Sequence, residues 1–174
     1  MRFATICLSK STPEQSGFTP KRSTIDSVLA LRVLTKRRRE FRQGLLAAYV
    51  DLHKAFGSVN WDALWRSLRL CGVPAKLTNL MSELYSGTKS VVRCGDTISK
   101  LFPVAIGVCP GCLLALTLFG TCVDWILERM SEKSSCGASF GSVKVSDLDF
   151  ADDAVIFVET LDILLGALAV LNDD

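Results

Sequence analysis

Asp152 and Asp153 stand side by side in "DLDFADDAVIFVE" (residues 147–159), with Phe150 before them and Val155, Ile156, Phe157 and Val158 after. A third carboxylate, Asp51, follows directly on "LLAAYV" (residues 45–50). That short, continuous apolar run suits a strand buried on both faces. "GSVKVSDLDF" and "AVIFVE" read as two strands, so a tight turn between them carries Asp152 and Asp153 at its tip. If this hairpin packs beside the Asp51 strand, three carboxylates converge at one end of a sheet. Like charges so placed repel and resist ionisation together. Divalent cations remove the conflict, and Mg²⁺ prefers a few carboxylates plus water and phosphate oxygens. Two such ions, roughly 3.5–4 Å apart, stabilise the attacking and leaving oxygens of a phosphoryl transfer. The chemistry expected is nucleotidyl transfer, driven by positioning and electrostatics. Asp is also a preferred turn residue, so these residues alone leave a solvated turn as the alternative.

The elements that must hold the acids can be read from periodicity and punctuation. "EQSGFTPKRST" (14–24) reads as a loop, and Ser23 or Thr24 caps a helix through "IDSVLALRVLTKRRREF". Its apolar positions Ile25, Val28, Leu29, Leu31 and Val33 fit one broad face, and Gln43-Gly44 ends it. "SVNWDALWRSLRLCGV" forms a second helix, with Ser58 or Asn60 as cap and Gly72 as stop. "PAKLTNLMSELYSG" runs from Pro74 to Gly87 as a third. "SVVRCGDTISKLFPV" reads as a hairpin turning at Gly95-Asp96; "GCLLALTLFGTCVDWILERM" and "LDILLGALAVL" are apolar helices. The order is helix, strand, two helices, hairpin, helix, hairpin, helix: an α+β or mixed α/β chain whose sheet is covered by helices. No G-x-G-x-x-G or P-loop occurs, so neither nucleotide motif is supported.

The 174 residues suffice for one domain with a sizeable core, and 49% hydrophobic with 22% charged residues is ordinary globular composition. The net charge of +2 is unevenly spread: residues 1–44 balance to +7 and residues 45–174 to −5. A basic leading segment suits a polyanionic partner. The seven cysteines are scattered, Cys109-Pro-Gly-Cys112 is a lone CxxC, and His53 is the only histidine. Zinc wants four ligands, so free thiols in a reducing compartment are the better reading. "FATICL" is too short for a signal-peptide core and "GCLLALTLFGTCV" too short to span a bilayer, which predicts an intracellular protein without membrane contact.

Four motifs occur in an order that resembles the reverse transcriptases of non-LTR, LINE-type retrotransposons. "FADDAVIF" resembles the [FY]-A-D-D core, and "VDLHKAFGSVNWDALW" resembles "DLxKAFDxVxxxxL". "GVCPGCLLALTLF" resembles "GVRQGxPLSPxLF", and "EQSGFTPKRSTIDSV" resembles "QxGFxxxRSTxD" of the fingers. The resemblance implies an RNA-directed DNA polymerase of right-hand architecture. Residues 1–44 would be a partial fingers segment and residues 45–174 a partial palm, within one domain spanning about 14–174, with the thumb absent. It assigns Asp51, Asp152 and Asp153 as the catalytic carboxylates that bind two Mg²⁺. Phe56 matches the aromatic under the incoming sugar, Arg22 a fingers residue near template or nucleotide phosphates, and Gly111 the glycine of the nucleotide pocket. The partners implied are an RNA template, a DNA primer and dNTPs. Lys36, Arg37, Arg38 and Arg39 would contact nucleic-acid phosphates, or else form a solvated helix face.

Departures from the pattern bear on activity. The family's "AFD" is Ala55-Phe56-Gly57 here, and Gly57 is expected to loosen the turn entering the next helix. The family's "RQG" is Cys109-Pro110-Gly111, and Pro110 has no backbone N–H. "PLSP" has become Leu113-Leu114-Ala115-Leu116. Metal ligands kept beside an altered nucleotide pocket and no thumb predict that this chain has lost polymerase activity. A non-catalytic nucleic-acid-binding fragment, or a functionless remnant of a mobile element, are the alternatives.

Overall fold

A computed structural model describes residues 16–17, 22–109 and 111–173. Most of the leading loop and Pro110 lie outside the described residues. The elements are α1 (Thr24–Glu40), β1 (Leu46–Asp51), α2 (Ala55–Ser58), α3 (Trp61–Leu70) and α4 (Ala75–Tyr85), then the short strands β2 (Lys89–Ser90), β3 (Arg93–Cys94), β4 (Thr97–Ile98) and β5 (Phe102–Pro103). These are followed by α5 (Leu113–Ser134), β6 (Ala138–Phe140), β7 (Val143–Val145), β8 (Asp147–Phe150), β9 (Asp153–Val158) and α6 (Leu161–Asp173).

Local chemistry fixes most boundaries. Ser23 and Asp26 form a capping box at the start of α1. The Asn60 side chain accepts the Ala63 N–H at 3.1 Å to start α3. Gly72 at φ 76° and Gly87 at φ 70° follow α3 and α4, in the left-handed conformation that ends helices. β3 and β4 pair about Gly95-Asp96, as the sequence predicts, and β2 and β5 extend that hairpin. "GSVKVSDLDF" is divided: β7 pairs back on β6 around Gly141, and only β8 pairs with β9. The β6–β7 hairpin has no period-2 signal long enough to be legible in the sequence.

The central sheet has strand order β1-β9-β8, all antiparallel. Because side chains alternate across a strand, β9 faces two cores. Ala154, Ile156 and Val158 meet Leu64, Leu68, Leu118 and Leu127 of α3 and α5. Phe157 and Val155 meet Leu31 and Leu34 of α1. Ile156, Phe157 and Val158 are completely buried, each burial contributing about 1.5–3 kcal/mol. The fold class is thus α+β, with helices on both faces of the sheet.

Two expectations are corrected. β1 is not buried on both faces: among the described residues it bonds only to β9, as a sheet edge, and Tyr49 is 74% exposed. The broad apolar face assigned to α1 is not the buried one: Ile25, Val28, Leu29 and Val33 are exposed, while Leu34 and Arg38 are buried. Leu31, Leu34 and Arg38 share a stripe because they lie three and four residues apart.

Arg38 therefore does not belong with the phosphate-facing cations. It is 4% exposed, and its guanidinium donates from Nε to the Gly44 carbonyl at 3.1 Å. Nη1 donates to the Ser139 carbonyl at 3.1 Å and to Glu159 Oε1 at 3.0 Å. Glu159 also accepts the Ser139 backbone N–H at 2.9 Å. That hydrogen bond, followed by the Arg38 charge, holds the Glu159 carboxyl below its ordinary value. One side chain thus ties the end of α1 to the entry of β1, to β6 and to the exit of β9.

Arg38→Ala is expected to cost about 3 kcal/mol in denaturant unfolding, because it strands buried carbonyls and removes a paired charge. Arg38→Lys should recover only part, since an ammonium cannot fork across these acceptors. Glu159 has a depressed folded pKa, so its contribution is complete above the ordinary value of 4.5 and is lost as pH falls through the folded value. Melting temperature should therefore fall more steeply with acid below pH 4.5 in the unsubstituted chain than in Glu159→Gln.

Candidate active site at the end of the sheet

Asp51 is the last residue of β1 and Asp153 the first of β9, and the two are direct cross-strand partners. Directly opposed residues of an antiparallel pair point to the same face, with Cβ atoms about 4.5–5.5 Å apart. Both are exposed. The β8–β9 hairpin closes with Phe150 paired to Asp153, leaving Ala151-Asp152 as a two-residue turn. Ala151 adopts φ 62° and is nevertheless buried, a left-handed position that tight hairpin turns require. Asp152 is half-buried beside it.

Asp51 and Asp153 border a concavity of about 390 Å³. Its walls include Ser27, Val28 and Leu31 of α1, Tyr49 and Asp51 of β1, and Leu148, Phe150 and Asp153 of the hairpin. The volume suits a small-molecule ligand. No sequence motif points to Tyr49. Its position two residues before Asp51 places it on the same face by the strand period, and that rule could have found it.

The three carboxylates meet at one end of the sheet but do not close into a cage. Among the described residues, no three His, Cys, Asp or Glu side chains are gathered tightly enough to hold a metal ion. The donor set still fits Mg²⁺, which needs only one or two carboxylates when water and substrate phosphate complete its octahedron.

The chain leaves Asp51 through Lys54 at φ 54° into the single turn of α2. Phe56, half-buried on α2, stacks on Phe119 of α5 with centroids 4.5 Å apart. The loop before α5 is fastened beneath it. Val108 donates its N–H to the Phe56 carbonyl at 2.7 Å, and Gly107 donates to the Val59 carbonyl at 2.8 Å. Trp61 Nε1 donates to the Gly107 carbonyl at 2.8 Å. Gly107, at φ +88°, approaches so closely that an added Cβ would lie 2.9 Å from the Gly57 oxygen.

Gly57 itself is not a loosened turn. Its N–H donates to the Lys54 carbonyl at 2.7 Å within α2, and a Cβ there would meet nothing within 4 Å. Gly111 adopts φ +87° in an exposed position. Arg22 is exposed, one residue before the α1 cap. Lys36, Arg37 and Arg39 are exposed on the last turns of α1, and Lys36 pairs with Glu40 at 4.0 Å. They stand about 15 Å along the helix axis from Ser27, so the structure does not bring them to the acids.

A family profile described as reverse transcriptase (RNA-dependent DNA polymerase) matches residues 2–173. The chain is 29% identical over 155 residues to the retrovirus-related Pol polyprotein from type-1 retrotransposable element R2 of Nasonia vitripennis, spanning 89% of this chain and 15% of that protein. It is 28% identical over 148 residues to the polyprotein from type-2 retrotransposable element R2DM of Drosophila melanogaster, spanning 85% of this chain and 14% of that one. Among solved structures, apo telomerase from Candida tropicalis matches with a TM-score of 0.63 at 14% identity, over 96% of this chain and 35% of that one. The chain thus spans a small part of the length of these relatives.

The two glycines predict opposite outcomes. Gly57→Ala should stabilise the chain by about 0.5–1 kcal/mol, since helix propensity improves without a clash. Gly107→Ala combines left-handed backbone with backbone overlap and should destabilise it by about 2 kcal/mol or more. Paired chemical denaturation curves of the two variants check both signs.

Proposed function

The chain belongs to the reverse transcriptase (RNA-dependent DNA polymerase) family, and from that premise we propose that it is a polymerase domain segment of a non-LTR retrotransposon polyprotein. Its reaction would be RNA-templated addition of dNTPs to a primer 3′-hydroxyl. Residues 1–44 would supply part of the fingers and residues 45–174 part of the palm. The observation that carries this reading is the pairing of Asp51 with Asp153 across the β1–β9 ladder, with Asp152 in the adjoining turn. Carboxylates from two distant motifs thereby face one concavity.

In this reading Asp51, Asp152 and Asp153 would hold two Mg²⁺ ions together with the nucleotide phosphates. When bound, Mg²⁺ would neutralise phosphate charge and polarise the reacting oxygens. Phe56, supported from behind by Phe119, would define the floor against which the incoming sugar rests. Gly111 would let backbone approach the nucleotide, and Arg22 would reach phosphate from the start of α1. Lys36, Arg37 and Arg39 would hold template or primer backbone away from the reacting centre.

Because the acids form no closed cage, Mg²⁺ alone should scarcely shift the melting temperature, whereas Mg²⁺ with a dNTP should raise it. The gain follows ligand excess, about 2.7 kcal/mol at a hundredfold over Kd, and Asp51→Asn or Asp152→Asn should remove it. No dNTP-dependent shift would overturn the assigned ligands. The altered Cys109–Gly111 segment predicts little or no primer extension by this chain, and Cys109→Arg with Pro110→Gln should restore part of it. Extension by the unsubstituted chain that Asp152→Asn abolishes would show the altered segment to be compatible with catalysis. Neutralising Lys36, Arg37 and Arg39 should weaken RNA binding and flatten its salt dependence. The log–log slope should become shallower by about 0.7 for each single-strand phosphate that is no longer neutralised.

A further inference from the structure

The concavity beside the acids is mostly apolar, and metal binding leaves that part of it unused. The ladder sets two cross-strand rows side by side: Tyr49, Val155 and Leu148 in one, and Asp51, Asp153 and Phe150 in the next. Residues two apart along a strand share a face, so the two rows form one floor. All six residues line the concavity of about 390 Å³. Leu148 and Val155 join Leu31 in the apolar cluster under α1, and Ser27 and Val28 of α1 continue the wall. An apolar platform thus ends in a pair of opposed carboxylates.

Three further features define what would fill it. Among the described residues, no Lys, Arg or His lines the cavity, so no basic side chain there offsets Asp51 and Asp153. Val28 and Tyr49 are 60% and 74% exposed, leaving apolar surface that a ligand can cover. Ser27 Oγ is buried without a hydrogen-bond partner among the described residues, a costly state that a ligand N–H would relieve. A bare metal ion answers the acids but leaves the apolar floor uncovered. A neutral apolar molecule covers the floor but leaves the acids in conflict. A cation on an apolar body does both.

We propose that this cavity is a binding site for a small primary amine with an aromatic or alkyl body. The ammonium lies between Asp51 and Asp153, and its three N–H donors match two carboxylates and the Ser27 hydroxyl. The body rests on Val155 and Leu148, beside Val28. Such a ligand needs neither metal nor nucleotide, so the site stands or falls independently of the polymerase reading. Where that reading holds, the amine competes with Mg²⁺ for the same carboxylates.

The test titrates the whole chain, free of metal and nucleotide, with phenethylamine, its neutral counterpart phenethyl alcohol, and ethylamine, following backbone amide shifts by NMR. Phenethylamine should bind saturably with Kd on the order of 1 mM or tighter, shifting the amides of Tyr49, Leu148 and Val155. Phenethyl alcohol and ethylamine should each bind at least about tenfold more weakly, one lacking the charge and the other the apolar body. Asp153→Asn should weaken phenethylamine about tenfold and Ser27→Ala about threefold. Circular dichroism confirms the fold of each variant, and the three-ligand comparison on the unsubstituted chain decides the matter if a variant does not fold. Absence of saturable phenethylamine binding, equal binding of either control compound, or shifts confined to other regions would overturn the proposal. Undiminished binding in folded Asp153→Asn or Ser27→Ala would overturn it equally.

Discussion

The β1–β9 register is the constraint on which the rest of this structure depends. It sets Asp51 opposite Asp153, an arrangement that costs energy because like charges are held on one face of neighbouring strands. A slip of one residue would turn Asp51 to the other face and separate the pair. Nothing in the acids themselves prevents that slip. The register is held because β9 is committed on both faces, with Ile156 and Val158 in one core and Phe157 in the other. Burial of the strand thus imposes the electrostatic conflict at its end, and a conflict of this kind is relieved by a cation.

The same logic explains why the loop before α5 is built from backbone contacts. Gly107 and Val108 bond to carbonyls of Val59 and Phe56, so a segment distant in sequence is set against the short helix that follows Asp51. Contact between main chains leaves no room for a side chain at Gly107. Substitutions elsewhere in the loop can then change its chemistry without moving its anchored end. Cys109, which stands where the related motif has Arg, is one such exposed position.

Much of the fold is legible in the sequence, and what is not has physical causes. The carboxylate motifs, the helices and the hairpin at Gly95-Asp96 carry strong local signals. The exposure of β1 is hidden because an apolar run does not reveal whether a strand has neighbours on both sides; among the described residues it has one. The inner face of α1 is hidden because its apolar residues outnumber those it buries, and the buried stripe of Leu34 and Arg38 includes a charge. A cation within an Arg-rich run gives no sign that its acceptors lie about a hundred residues on, at Ser139 and Glu159. The openness of the carboxylate group is likewise a matter of side-chain spacing that motif matching does not reveal.

α1 can also be regarded as a lever. Its far end is clamped by Arg38, while its near end supplies Ser27 and Val28 to the wall of the concavity beside Asp51. Eleven residues separate clamp and wall, roughly 16 Å along the axis. A tilt of about 5° at the clamp would carry the wall by about 1.4 Å over that helical rise, comparable to the radius of a water molecule. The fit of a ligand at the acids is therefore set in part by an ion pair that never touches it.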